Sequence, residues 1–287
     1  MNRTRAFLLL SVALLLVACS AGSASTSVPA IVASASAPAK TELTIYGAAS
    51  LKSALKSLKA AYEAAVPGTT LTIATDSSAT LRAQIEQGAP ADLFLSADQT
   101  NPEALVEAGL TDGPALDFAG NTLTIIVPNV GPTAATTAAT TAATAAIASP
   151  ADLAKPGMKI VAAGAEVPVT HYADQVIAKL AALPGYPHGF ASAYAANVVS
   201  KEQNVKAVVA KVELGEGDAA IVYTTDAIGS DKVNQVPIPP EANVLAIYAG
   251  VVIKGSAQAP AAHAFLEWLT GPIGRAILTD AGFVPPS

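Results

Sequence analysis

Residues 42–98 repeat one pattern twice, and that repeat narrows the folds open to the chain. Residues 43–46 are a short apolar run of strand formers ending at Gly47-Ala48-Ala49, where small side chains let backbone approach closely. After Ser50 the apolar period changes, and Leu51, Ala54, Leu55, Leu58 and Tyr62 fall on one helical face. Ser50 is therefore a candidate N-cap. Residues 70–74 then read as a strand, Asp76-Ser77-Ser78 as a turn, and residues 79–87 as a helix carrying Leu81 and Ile85 and stopped by Gly88. A strand feeding a helix twice in succession predicts an α/β fold, with parallel strands covered by helices on both faces.

Each helix start presents N–H groups without intrahelical partners and a partial positive charge. Two such starts, with bare hydroxyls and small neighbours, can cradle a small anion without a cationic side chain. A serine there is equally an ordinary cap worth about 1 kcal/mol, so spacing alone leaves Ser50 and Ser78 open to either role.

The same alternation continues. Residues 92–95, 122–127, 158–162, 196–199 and 219–223 read as strands, and the long apolar run 244–253 as a strand passing between two lobes. Helices are predicted over 102–108, 171–182, 260–269 and 273–280. A further helix is capped by Asn204, carries Val205, Val208, Val209 and Val212 on one face, and stops at Gly215.

The two ends of the pattern are of another kind. Residues 1–18 read as a signal peptide, with Arg3 and Arg5 ahead of an apolar stretch too short to span a bilayer. Leu16-Val17-Ala18-Cys19 resembles a bacterial lipobox, so Cys19 is the expected lipidation site; as the sole cysteine it can form no disulfide within the chain. Residues 19–41 are rich in Ala, Ser, Val and Pro and read as a flexible linker from lipid to domain. Residues 131–149 form an Ala/Thr insert without charge or an amphipathic face, read as a surface excursion.

Composition removes several classes of function. At 52% hydrophobic and 13% charged, the body is a packed globule and not a disordered chain. The net charge is −6, and loss of the leader removes two arginines and no acid, which argues against nucleic acid as a partner. His171, His188 and His263 are dispersed and offer no metal cluster. The string from Gly215 to Ala220 precedes a strand, so it fails as a dinucleotide fingerprint, and no P-loop is present.

Three segments carry a family resemblance: AASL at 48–51, DSSATL at 76–81 and GAPADLFLSAD at 88–98. They resemble the molybdate-binding proteins of bacterial ABC importers, a likeness covering residues 42–287 apart from the Ala/Thr insert. It implies a two-lobed, type II-like periplasmic binding-protein fold, each lobe a mainly parallel sheet flanked by helices, with the ligand in the cleft. Residues 42–122 and 248–287 would form lobe one and 123–247 lobe two, hinged near 120–124 and 245–250. The implied ligand is molybdate or tungstate, held by Ser50 and Ser78 through hydroxyl and amide, by backbone N–H at Val169 and Val205, and by the Tyr223 phenol. Arg82 and Lys206 read as solvated. The implied protein is not an enzyme, needs no cofactor and no metal beyond the oxyanion, and works as an extracytoplasmic, lipid-anchored monomer with a permease and its ATPase. Two alternatives remain open on residues alone. One is a receptor for another tetrahedral oxyanion such as sulfate or phosphate. The other is an extracytoplasmic serine hydrolase using Ser50 or Ser78 with His171 as base, although neither serine sits in a nucleophile elbow.

Overall fold

The first strand–helix unit forms as its apolar periods dictate. In the computed structural model, which describes residues 40–129 and 147–286, β1 (Thr41–Ala48) leads through a 3₁₀ turn at Ala49–Leu51 into α1 (Lys52–Ala65). The predicted signal peptide 1–18, Cys19, nearly all of the linker and most of the 131–149 insert lie outside the described residues. Helix α1 buries Ala54, Leu55, Leu58 and Tyr62, the predicted face. Gly47 lies against the Leu55 side chain, leaving no room for a Cβ. β2 (Thr69–Asp76) and α2 (Ser78–Glu86) repeat the unit, and Gly88 ends it at φ +88° in the left-handed region. β3 (Leu93–Leu95), α3 (Thr100–Glu107) and β4 (Leu116–Asn121) follow.

The chain then builds a second set of elements: β5 (Leu123–Pro128), β6 (Ile160–Ala163), α4 (Pro168–Ala182), α5 (Phe190–Ala196), β7 (Val198–Glu202), α6 (Val205–Glu213), β8 (Ala220–Tyr223), α7 (Thr224–Ile228) and β9 (Val233–Val236). It closes with β10 (Ala246–Val252), α8 (Ala259–Thr270) and α9 (Pro272–Asp280). The five-stranded sheet has the order β2-β1-β3-β10-β4. β1 pairs parallel with β2 and β3, whereas β10 runs antiparallel between β3 and β4. The remaining strands form a three-stranded antiparallel sheet, β8-β5-β9, and a parallel pair, β6-β7. The α/β class follows from the pattern: the parallel ladders β1–β2 and β6–β7 join strands linked through helices, whereas the antiparallel ladders join strands far apart in the sequence.

Several boundaries differ from the sequence reading. Helix α4 begins at Pro168, not at 171, because proline fits the first helical position, whose N–H has no helical partner anyway. The strand placed at 196–199 is split between the end of α5 and the start of β7, since Phe190 and Tyr194 bury a short helix there. β4 and β9 carry little strand signal of their own and form because β10 and β5 supply their partners.

The last two helices cover the first sheet through an aromatic cluster, with Phe265 and Trp268 of α8 edge-on to Tyr62 of α1 at 4.8 and 5.1 Å. Helix α9 turns back at Gly271-Pro272, and Gly274 lies against the Leu269 backbone, whose Cα would stand 2.6 Å from an added Cβ. Backbone cannot yield as a flexible side chain can, so Gly274→Ala should cost about 2 kcal/mol or more, a fall in Tm of about 4–8 °C. Thermal denaturation of the ligand-free protein checks this.

Candidate functional site

Four helix starts and the end of one strand meet at a single small cavity. Ser50, Ser78, Val169, Val205 and Tyr223 all line it, with Ala48, Ala49 and Ala97 as small neighbours, and its free volume is about 10 Å³, roughly one water. Among the described residues no lysine, arginine, histidine or carboxylate lines it. Larger surface grooves exist elsewhere, but none collects these residues.

Each start is built differently. On α2, Ser77 is the cap, its hydroxyl accepting the Thr80 N–H at 3.1 Å, which leaves Ser78 as the first helical residue. On α6, Asn204 caps as predicted, accepting the Ala207 N–H at 3.1 Å, and Val205 is the first helical residue. On α4, Val167 offers no side-chain cap, and Val169 follows Pro168 in the first turn. In α2 and α6 the cap takes the third N–H of the turn, so the first N–H groups keep no helical partner.

The fourth start corrects a prediction. Ser50 is not an N-cap: it lies inside the 3₁₀ turn, and neither that turn nor α1 has a side-chain cap. The extra turn carries Ser50 past the capping position. Its hydroxyl oxygen instead meets the Tyr248 phenol oxygen at 2.9 Å, a contact buried beneath the cavity.

The hydroxyls are arranged to donate. Ser78 Oγ accepts the Ala97 N–H at 3.0 Å, which leaves its own O–H for the cavity. Ala97 is held in place by its neighbours: Ser96 Oγ donates to Asp98 Oδ1 at 2.7 Å, and Asn101 Nδ2 donates to the same carboxylate at 2.8 and 3.0 Å. Tyr223, at the end of β8, is 1% exposed, and its hydroxyl has no hydrogen-bond partner among the described residues. Burial drives its pKa well above the ordinary phenol value, reinforced by Tyr248, Tyr172, Asp98 and Asp226, so the phenol is a neutral donor.

Charged groups stand one layer back, engaged with other groups of the protein. Asn204 Nδ2 donates to Asp76 Oδ1 at 2.9 Å, tying the start of α6 to the end of β2 at the rim of the site. Lys206 is not simply solvated, as its sequence position suggested. Its Nζ lies 2.7 Å from Asp226 Oδ1, a carboxylate that burial pushes to a raised pKa against the opposing pull of that lysine. Arg82 makes a partly exposed pair with Glu86 at 3.5 Å. His171 is exposed on α4 and, among the described residues, hydrogen-bonds to neither Ser50 nor Ser78, so the one base the hydrolase reading names is not engaged with either serine. Among the described residues no group of three His, Cys, Asp or Glu could hold a metal ion.

Sequence reasoning missed Tyr248, Asn121, Asp98 and the Asp76–Asn204 tie. Asp98 closes the segment GAPADLFLSAD, whose resemblance assigns it no role. Tyr248 and Asn121 gave no local signal, because their partners are distant in sequence.

Comparison with known proteins gives four findings. A family model described as bacterial extracellular solute-binding protein matches residues 43–284. The molybdate-binding protein ModA of Mycobacterium tuberculosis is 32% identical over 245 residues, covering 85% of each chain. Among solved structures, the periplasmic molybdate-binding protein of Azotobacter vinelandii superposes at TM-score 0.66 and 23% identity, over 85% of this chain and 100% of that one. The sulfate-binding protein SubI of Mycobacterium tuberculosis superposes at TM-score 0.71 and 20% identity, over 85% and 87%. Both structural likenesses speak for the fold, and they carry different anions in their names.

The lone Tyr223 hydroxyl makes a prediction about stability. An unsatisfied buried hydroxyl costs about 1–3 kcal/mol, so Tyr223→Phe should leave the ligand-free protein as stable as before or raise its Tm by a few degrees. A melt showing a clear loss would mean that the hydroxyl is bonded within the fold.

Proposed function

Because the chain belongs to the bacterial extracellular solute-binding protein family, we propose that it is the receptor of an ABC-type importer for molybdate and tungstate. The observation that carries this reading is the Tyr223 hydroxyl, buried at a cavity lined by four helix starts, with no partner and no charged lining side chain among the described residues. An oxyanion accepts from every such donor at once. Fixed dipoles in a water-poor site can replace its hydration shell without a buried cation. Ser50 and Ser78 supply hydroxyl and amide donors, Val169 and Val205 backbone N–H, and Tyr223 its phenol. The likeness to ModA supports molybdate in particular.

The donor set also bears on which anion is taken. Molybdate, tungstate and sulfate carry no proton near neutral pH and need donors only. Hydrogen phosphate brings a proton that needs an acceptor, and no carboxylate lines the cavity. Sulfate is the nearer rival and differs from molybdate chiefly in being smaller.

The division into lobe one (residues 42–122 and 248–287) and lobe two (123–247) belongs to this proposal. It is supported by β1 to β4 and β10 sharing one sheet while β5 to β9 form the others. The cavity is too small for a bare tetrahedral oxyanion as it stands, so entry requires its walls to part, with the crossings beside Asn121 and Ala246 as the hinge. The Asn204–Asp76 hydrogen bond then joins the walls on closure. Outside the membrane, the protein is held by a lipid on Cys19 and works as a monomer that hands its anion to a permease driven by a cytoplasmic ATPase.

A calorimetric competition series on the mature protein tests the reading. Molybdate and tungstate should bind with nearly equal affinity, sulfate more weakly and phosphate weakest. Ser78→Ala should lose about 10- to 100-fold in molybdate affinity, as expected for a hydrogen bond to a charged group. Absence of both heat and thermal shift with micromolar molybdate would overturn the proposal.

A further inference from the structure

Ser50 reaches the cavity with its oxygen already engaged from behind. Tyr248, on β10, is fully buried, and its phenol oxygen lies 2.9 Å from Ser50 Oγ. Asn121, fully buried at the end of β4, directs its Nδ2 at the same phenol oxygen from 3.4 Å and at Thr225 Oγ1 from 2.8 Å. An amide nitrogen only donates, so the phenol oxygen accepts from Asn121. The phenol proton then has Ser50 Oγ as its hydrogen-bond acceptor. Ser50, having accepted, has no second partner among the described residues and directs its own O–H into the cavity that it lines. Two fully buried residues thus fix the polarity of a third.

We propose that Tyr248 is a positioning residue of the anion site, which, with Asn121 behind it, holds Ser50 as a hydrogen-bond donor to the bound oxyanion. The inference rests on the anion-receptor reading above and adds to it residues that do not touch the ligand. Burial and the field of Asp226 keep the Tyr248 phenol protonated, its pKa well above the ordinary value, so the donor persists across the physiological range. The ring is fixed independently of its hydroxyl, edge-on to Phe283 at 5.3 Å, Tyr223 at 5.6 Å and Phe118 at 6.1 Å. Without the phenol, the serine hydroxyl turns freely and its oxygen is no longer polarised, so its bond to the anion weakens.

The test is a double-mutant cycle on molybdate affinity, measured by calorimetry beside ligand-free melts. Tyr248→Phe keeps the ring packing and should bind molybdate about tenfold more weakly. Ser50→Ala should lose at least as much, and Tyr248→Phe should add nothing further on that background, since its whole effect passes through Ser50. The Raman difference spectrum of wild type minus Tyr248→Phe isolates this one phenol and should report a hydrogen-bond donor; it reads the wild-type bond even if the variant is poorly stable. Unchanged affinity in Tyr248→Phe, an equal further loss on the Ser50→Ala background, or a phenol that only accepts would each overturn the proposal. Failure of the wild type to bind molybdate would instead overturn the anion-receptor reading, and the role given to Tyr248 with it.

Discussion

A helix start leaves N–H groups that its own turn cannot satisfy, and several such starts border one small cavity in this protein. The caps do not remove the excess. Ser77 and Asn204 each take the third N–H of their helix, so the first N–H groups beside Ser78 and Val205 stay free of helical partners. The Tyr223 hydroxyl joins them without any partner. Unsatisfied buried donors cost about 1–3 kcal/mol apiece, so a fold gathers them only where packing elsewhere is strong enough to hold them. Here that packing comes from two sets of sheets whose strands β3, β8 and β10 are almost wholly buried, covered by amphipathic helices.

The layer behind the cavity keeps those donors aimed. The Ser96–Asp98–Asn101 cluster holds Ala97, and the Ala97 N–H occupies Ser78 from behind. In the role proposed for Tyr248, its phenol, 2.9 Å from Ser50 Oγ, does the same for that serine. In both cases the serine oxygen is engaged on its protein side, so the proton faces the cavity. The charges behind the site, at Asp76, Asp98 and Asp226, are tied to Asn204, to Ser96 and Asn101, and to Lys206, and do not line it. A cavity of neutral donors with its charges set one layer back is suited to a guest that only accepts.

The outline of this arrangement was legible in residues 42–98. A strand-to-helix change of period located β1, α1, β2 and α2 to within two or three residues, and Asn204 with its four valines located α6. Those signals are local: a cap, a stop glycine and an apolar stripe lie within one element. Ser50 shows where such grammar fails. A single 3₁₀ turn between β1 and α1 moved it from the capping position to the turn interior, a shift that periodicity does not register. Val169 and Val205 carry no side-chain signal at all, because backbone is what they present, and only family resemblance singled them out.

Strand–helix alternation, the apolar faces of α1 and α6 and the glycine stops follow from the order of residues, because each depends on neighbours a few positions away. The convergence of the site does not. Ser50 and Tyr248 are 198 residues apart, Asn204 and Asp76 128 apart, and β4 and β9 exist only because β10 and β5 stand beside them. Whether a serine caps its own helix or turns its proton into a cavity depends on which distant side chain reaches its oxygen, and that is settled by how the sheets close on one another.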